Sequence, residues 1–120
     1  MSERTQTLRG ALEAVDRILN RGGEADDVLR AVVGVLHERA GYPAAAIWFV
    51  EEGSLVEGPR AGGGEAAEAF PVAFEGVPVA EVRVTGPLEP EDRVFLERVA
   101  LLISPHCLVG WDTGGEAWEP

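Results

Sequence analysis

Residues 69–84 read AFPVAFEGVPVAEVRV, two short apolar runs on either side of a Glu75-Gly76 step. A glycine between two such runs is typical of a β-hairpin turn, where it adopts the required backbone angles without steric cost. Within both runs Val, Phe and Ala alternate with other residue types, as they do in strands whose two faces differ. We therefore predict a hairpin, with strands over residues 69–75 and 77–84, at the centre of an antiparallel sheet.

Three other segments have apolar residues at the three- and four-residue spacing of amphipathic helices, over residues 3–20, 24–40 and 90–104. Glycines follow the first two segments, and Pro90 suits the first turn of the third. Acidic residues open the second and third segments, where the helix dipole favours them. We predict three helices, the last of which Pro105 ends or kinks.

Two further strands are predicted between the second helix and the hairpin. Residues 44–51, AAAIWFVE, form an apolar run of strand length, and residues 54–57 form a short returning strand that Gly58-Pro59 stops. Three consecutive glycines make residues 60–68 a flexible loop, and residues 105–120 form an irregular tail. This order predicts a single α+β domain, an antiparallel sheet with the N- and C-terminal helices packed on one face.

The composition limits the classes of function. The 120 residues carry a formal net charge of −11, which opposes binding to nucleic acids or to an anionic membrane because both are negatively charged. No apolar run approaches the length of a membrane span or the core of a signal peptide. The single cysteine, Cys107, fits a reducing compartment, so we expect a cytoplasmic protein. Abundant Ala, Gly, Glu, Arg and Val without Lys indicate a GC-rich bacterial source.

From residue 70 to residue 104 the chain resembles the C-terminal half of a GAF domain. In that family a Pro-Val strand precedes a turn and a strand that begins with Gly and ends with Val. A loop then leads to an acidic helix of the pattern D-x-x-F/L-L-x-x-x-A. Residues 28–50 also resemble the opening of the family, in which a helix ends at a Gly and leads into an aromatic-bearing strand. The matching residues of the C-terminal half are Pro71-Val72, Gly76 to Val84, Asp92, Phe95, Leu96 and Ala100.

The resemblance covers about residues 24–104 and implies a GAF-like (profilin-like) fold with a sensory or regulatory role through a small-molecule ligand. PAS and roadblock-type domains share a similar layered sheet, but two helices before the first strand and one long closing helix favour GAF. GAF domains usually carry several dozen residues between the second strand and the late hairpin, and these cover the ligand pocket. Only residues 60–68 stand there in this chain. The alternative is therefore a protein-interaction or structural module with a vestigial pocket.

An enzyme is the third hypothesis. One GAF subgroup reduces free methionine sulfoxide, and a thiol reductase of that kind needs an attacking and a resolving thiol. This chain has only Cys107. Nothing in the sequence places Ser54 or Cys107 beside His37 or His106 for nucleophilic catalysis, and His37 and Asp112 lack the spacing of a zinc site. We expect no enzymatic activity, no metal and no cofactor.

The candidate ligand contacts are Trp48, Glu81, Arg83 and Trp111. A large ring on the first strand of a GAF-like sheet can face the pocket, and strand alternation places Glu81 and Arg83 together on one face of their own strand. The alternative for Trp48 is packing in the core. Trp111 and the other tail tryptophan, Trp118, close the pocket in one hypothesis, and cover exposed sheet or a neighbouring subunit in the other.

The predicted partners are a second copy of the chain, a small-molecule ligand and a separate effector protein. The first helix carries an apolar stripe at helical spacing, and in GAF-like proteins the terminal helices commonly pair. We therefore predict a homodimer surface formed by this stripe and the last helix. The alternative is that the stripe packs on its own sheet. The stripe consists of Leu8, Leu12, Val15 and Leu19.

Overall fold

The structure, a computed structural model, describes residues 3–108. Three α-helices, four β-strands and a closing 3-10 helix follow one another along these residues. The elements are α1 (Glu3–Arg21), α2 (Ala25–Glu38), β1 (Ala44–Glu51), β2 (Ser54–Gly62), β3 (Glu68–Phe74), β4 (Val77–Val84), α3 (Pro90–Ile103) and the 3-10 helix Ser104–Cys107.

The four strands form one antiparallel sheet in the order β2-β1-β4-β3, which confirms the predicted α+β class. The hairpin β3-β4 is not at the centre of this sheet, and that part of the prediction is wrong. β1 and β4 pair with each other in the interior, while β3 is an edge strand. Pro71 in β3 has no amide hydrogen to donate, and an edge strand tolerates this because only one side of it is paired.

The helices gather on one face of the sheet. α2 packs on β1 and β2, α3 packs on β3 and β4, and α1 packs against α2 and α3. Between these layers lies one apolar cluster, to which alternate residues of the strands contribute. Its largest fully buried side chains are Phe49, Leu29, Leu36, Ile47, Leu96 and Ile103.

β2 is longer than the sequence analysis predicts, because it passes Gly58-Pro59 and continues to Gly62. The register between β1 and β2 shifts at this point, so that two residues of β2 are accommodated opposite one residue of β1. A side chain at Gly58 would collide with the ring of Phe49. The Gly-Pro step therefore marks a bulge that lets β2 pass close to the core, and not the end of the strand.

The connection from β2 to β3 runs across one end of the sheet, since these strands lie at opposite edges. It spans only residues 63–67, where the sequence analysis predicts a flexible loop over 60–68. The amide of Gly63 donates to the carbonyl of Pro43 at 3.2 Å, and the Thr85 hydroxyl donates to the carbonyl of Glu65 at 2.8 Å. The connection is therefore hydrogen-bonded to residues beside β1 and β4.

Candidate functional site

The face of the sheet opposite the helices carries Trp48, Glu81 and Arg83. Strand alternation explains this placement, since the neighbours Phe49 and Val82 are fully buried on the helix side. All three α-helices of the described residues lie on that helix side. We call the opposite side the open face.

Strand register arranges the open face in two rows. In the first row Trp48 lies between Glu57 of β2 and Glu81 of β4. In the second row Ala46 lies between Arg60 of β2 and Arg83 of β4. Two acidic side chains thus flank a tryptophan, and two arginines flank an alanine in the adjacent row.

Arg83 connects the two rows. Its guanidinium lies over the Trp48 ring, 4.5 Å from the ring centre, in the geometry of a cation–π contact. The same guanidinium donates from Nε to Oε1 of Glu81 at 2.9 Å, and its Nη2 lies 2.9 Å from the same oxygen in an ion pair. About a quarter of each of these two charged side chains is exposed. Arg83 is thus held between a ring and a carboxylate and is still accessible from solvent.

Arg60 is held on the other side of Ala46. Its Nε donates to Glu57 at 2.9 Å, and its Nη1 donates to the carbonyl of Gly64 at 3.0 Å. Ala44 and Ala46 are fully buried although they lie on the open face. These two alanines are therefore covered by other groups of the protein and are not accessible from solvent.

The single cysteine of the chain, which lies within the described residues 3–108, is not on the open face. Cys107 belongs to the apolar cluster on the helix side and is 2% exposed. Burial raises the pKa of its thiol to about 12, so the thiol is protonated at neutral pH. Thiol chemistry requires the thiolate, and Cys107 is both neutral and separated from Trp48 by the sheet.

A second polar cluster, which the sequence analysis does not predict, lies on the helix side. Asp92 of α3 accepts from Arg4 of α1 at 2.7 Å and from the hydroxyl of Tyr42 at 2.7 Å. Its other oxygen accepts from the amide of Glu89, which completes a capping box at the start of α3. Arg4 also donates to the carbonyl of Ala40. The cluster joins α1, the approach to β1 and α3 at one point.

Burial opposes ionisation in this cluster, but hydrogen bonds decide the state of Asp92. The carboxyl is 5% exposed, and desolvation acts to raise its pKa. The hydrogen bonds from the Glu89 amide, Tyr42 and Arg4 outweigh this and hold the pKa of Asp92 below its usual range. Burial and the hydrogen bond to Asp92 together raise the pKa of Tyr42. The cluster therefore contains an aspartate anion, an arginine cation and a neutral tyrosine, an arrangement suited to holding helices together.

The four residues of the predicted dimer stripe differ in how far they are buried. Leu8 and Val15 are buried within the chain, whereas Leu12 and Leu19 are half-buried. Leu8 and Leu12 line one wall of a surface groove of about 350 Å³ between α1 and α3. Trp111, the fourth candidate ligand contact, lies outside the described residues, as does Trp118.

Within residues 3–108 no group of three or more His, Cys, Asp or Glu side chains could hold a metal ion. In the same residues, no helix is long and apolar enough to cross a membrane.

No protein-family model matches the sequence, and no curated protein matches it. Several solved structures resemble the fold. One is the GAF domain of an Acinetobacter phosphoenolpyruvate-protein phosphotransferase, with a TM-score of 0.70, 12% identity, and coverage of 98% of this chain and 100% of that domain. The fold is GAF-like.

Two further structures with a similar fold are reductases in complex with their substrates. Free methionine-R-sulfoxide reductase from Neisseria meningitidis has a TM-score of 0.77 and 14% identity, over 90% of this chain and 92% of that one. The fRMsr of Staphylococcus aureus has a TM-score of 0.66 and 10% identity, over 89% and 97%. At these identities the likeness extends to the fold alone. Solved structures with this fold thus include a domain of a phosphotransferase as well as reductases.

Two charged residues of the open face, Glu57 and Arg60, are not among the site residues that the sequence predicts. The sequence analysis places Glu57 at the end of a strand and Arg60 in a loop, because Gly58-Pro59 resembles a stop signal. The bulge that carries β2 past this step places both side chains on the open face. The Arg4–Asp92 pair is not predicted either. The sequence shows only that the last helix begins with acidic residues, which does not identify Arg4 as a partner.

Proposed function

We propose that this chain is a GAF-like regulatory module that binds a small molecule on its open face, beside Trp48 and Arg83, without bond-making chemistry. The observation that carries the proposal is the contact of the Arg83 guanidinium with the Trp48 ring on the side of the sheet that the helices leave uncovered. A ring and an arginine in contact can receive a flat or apolar group and an anionic group of one ligand.

The proposed ligand is an organic anion with a flat or apolar portion. Its anionic group would replace the Glu81 carboxylate as the partner of the Arg83 guanidinium. Its apolar portion would pack against the Trp48 ring. Arg60 lies on the far side of Ala46 and would supply a second cationic group to a larger anion.

The reductase-like fold of the neighbours favours a second candidate, a thiol-dependent reductase. Such chemistry needs an attacking thiolate and a second thiol that resolves the intermediate. The chain contains a single cysteine, and its buried, protonated thiol lies behind the sheet. The binding module is therefore the better supported of the two.

A protein-interaction module with a vestigial pocket is the closest competitor. In that case the Arg83–Glu81 pair and the Trp48 ring satisfy one another permanently, and the face takes no small molecule. The short connection over residues 63–67 is consistent with this alternative, since it offers little to enclose a ligand. The two hypotheses differ in whether the purified chain retains or captures a small molecule.

Equilibrium dialysis of the full chain against a bacterial metabolite extract, followed by mass spectrometry, separates these hypotheses. We expect at least one small organic anion to be enriched by the wild type and not by Arg83→Gln. The matched control is Arg30→Gln, which removes an exposed arginine on α2, far from the open face. No enrichment by the wild type would reject the ligand-binding proposal, and equal enrichment by Arg83→Gln would reject its placement.

A further inference from the structure

The open face continues beyond Trp48 as an apolar surface. Val50 follows Trp48 by two residues in β1 and therefore points to the same face, and Leu55 of β2 lies directly opposite Val50. Val50 is 38% exposed and Leu55 is 36% exposed. The three α-helices of the described residues do not cover these two side chains, since they pack on the other side of the sheet. We call Val50 and Leu55 the apolar pair.

Along β1 the open face changes from cationic to apolar. The row of Arg60, Ala46 and Arg83 lies at one end, Trp48 follows, and the apolar pair comes next. From Ala46 to Val50 the strand advances by four residues, which is about 13 Å, the length of an extended saturated chain of about ten carbons. A ligand with its anionic group at the arginines therefore reaches the apolar pair only if its apolar portion is long.

The hairpin turn beyond the apolar pair is acidic. Glu51 ends β1, and Glu52 follows in the turn that leads to Ser54 of β2. These carboxylates oppose an anionic group at this end of the surface, because like charges repel. The surface therefore has a direction, with a place for an anionic group beside Arg83 and a place for an uncharged group beside Val50.

The Trp48 ring favours a chain over a flat group. The Arg83 guanidinium already covers one face of this ring, 4.5 Å from the ring centre. A flat ligand group stacked on that face would displace the cation that its own anionic group requires. A chain needs no face of the ring, because apolar contacts along the ring and the apolar pair are non-directional.

We propose that the open face binds a saturated straight-chain carboxylate of about ten carbons, with its carboxylate at Arg83 and the end of its chain on the apolar pair. This inference rests on the proposed function, because it takes Arg83 as the partner of the ligand's anionic group. It adds the class of ligand and makes Val50 and Leu55 the residues that select its length. The Glu81 carboxylate, about a quarter exposed, is hydrated when the ligand takes its place on Arg83.

A series of ligands tests the length and the direction. Isothermal titration calorimetry of the full chain uses hexanoate, octanoate and decanoate below their micelle concentrations. We expect the Kd to fall at least about tenfold from hexanoate to decanoate, since each added methylene group is partly removed from water. The heat-capacity change of binding should become more negative with each step. Decanedioate, which has the length of decanoate and a second carboxylate, should bind at least about tenfold more weakly than decanoate.

Substitutions test the placement of the chain. The double variant Val50→Thr, Leu55→Thr gives the apolar pair hydroxyl groups that oppose burial. Decanoate should then bind within about threefold of hexanoate, and the Kd of hexanoate should stay unchanged. Val50→Thr alone exchanges one methyl group for a hydroxyl at a partly exposed site, so it tests the same contact if the double variant does not fold. The matched control is Val94→Thr, an exposed valine of α3 on the other side of the sheet, which should leave every Kd unchanged.

The outcomes separate this inference from the proposed function. A Kd that does not fall with chain length, or a gain in affinity that survives both substitutions at the apolar pair, would reject the inference. So would a series in which no carboxylate binds. In each of these cases an anion enriched by dialysis in an Arg83-dependent way would still support the proposed function. Absence of binding in both experiments would reject the inference and the proposed function together.

Discussion

Arg4 and Asp92 are 88 positions apart in the chain, and their side chains meet at 2.7 Å. The pair joins the first turn of α1 to the first turn of α3, and the Tyr42 hydroxyl donates to the same carboxylate oxygen. The Arg4 guanidinium also lies 5.1 Å from the centre of the Tyr42 ring. One carboxylate thereby connects both terminal helices to the residue that leads into β1.

Removal of this carboxylate should destabilise the fold strongly. We expect Asp92→Asn to lower the free energy of unfolding by about 2–4 kcal/mol, because Arg4 and Tyr42 lose a charged acceptor in a buried place. Urea denaturation followed by circular dichroism measures the change. The control is Asp27→Asn, whose carboxylate is largely exposed and lies 3.9 Å from Arg30, and it should cost less than about 0.5 kcal/mol. Equal losses in both variants would contradict the anchoring role of Asp92.

The same carboxylate should make stability depend on acid. The folded-state pKa of Asp92 lies below its unfolded value of about 3.9. The unfolded chain therefore binds the proton first, and the contribution of Asp92 is fully present above that value and is lost as the pH falls through the folded pKa. Urea midpoints of the wild type and Asp92→Asn should thus converge as the pH is lowered from 7 toward 2.5. A constant gap between the two proteins would contradict the lowered pKa.

The bulge in β2 should require glycine at position 58. We expect Gly58→Ala to cost about 1–3 kcal/mol, since the added methyl group meets the ring of Phe49 and the carbonyl of Ile47 in a packed region. Gly63→Ala is the matched control, because no other group lies within 4 Å of a side chain at Gly63. Chemical denaturation of both variants gives the comparison. A neutral Gly58→Ala would mean that β2 does not pass this close to the core.

The single thiol should be unreactive in the folded protein. Cys107 is buried and its pKa is raised to about 12, so little thiolate is present at pH 8. We expect a thiol-specific disulfide reagent to label Cys107 at least about 100 times more slowly in the native protein than in denaturant. Rapid labelling of the native chain would also reopen the reductase hypothesis, since it would reveal an accessible thiolate.

The local patterns of the sequence were sufficient for the elements and their class. Apolar spacing predicted three helices, and alternation around Glu75-Gly76 predicted the hairpin. These signals are reliable because each depends on contacts within a few residues. The predicted end of β2 was wrong, because tertiary pairing changed the role of a local signal. Gly58-Pro59 resembles a strand end in the sequence and becomes a bulge only through pairing with β1.

The sequence likewise predicted only part of the candidate site. Alternation along β4 predicted that Glu81 and Arg83 share a face, because residues two apart in a strand point the same way. Their meeting with Trp48 required the register of β4 against β1, and the addition of Glu57 and Arg60 required the register of β2. No local pattern in the sequence specifies either register, since it is set by the fit of all strands to one core.

The sequence by itself determined which segments are helices and strands, which of their faces are apolar, and that the chain has one thiol and a large negative charge. Only the tertiary structure decided that one strand of the predicted central hairpin, β3, lies at an edge, that Leu8 and Val15 belong to the core, and that Arg4 reaches Asp92. The physical reason is the separation along the chain of the residues that interact. Periodicity and turns depend on neighbours in the chain, whereas burial, register and ion pairs depend on which distant segments the packing of the core brings together.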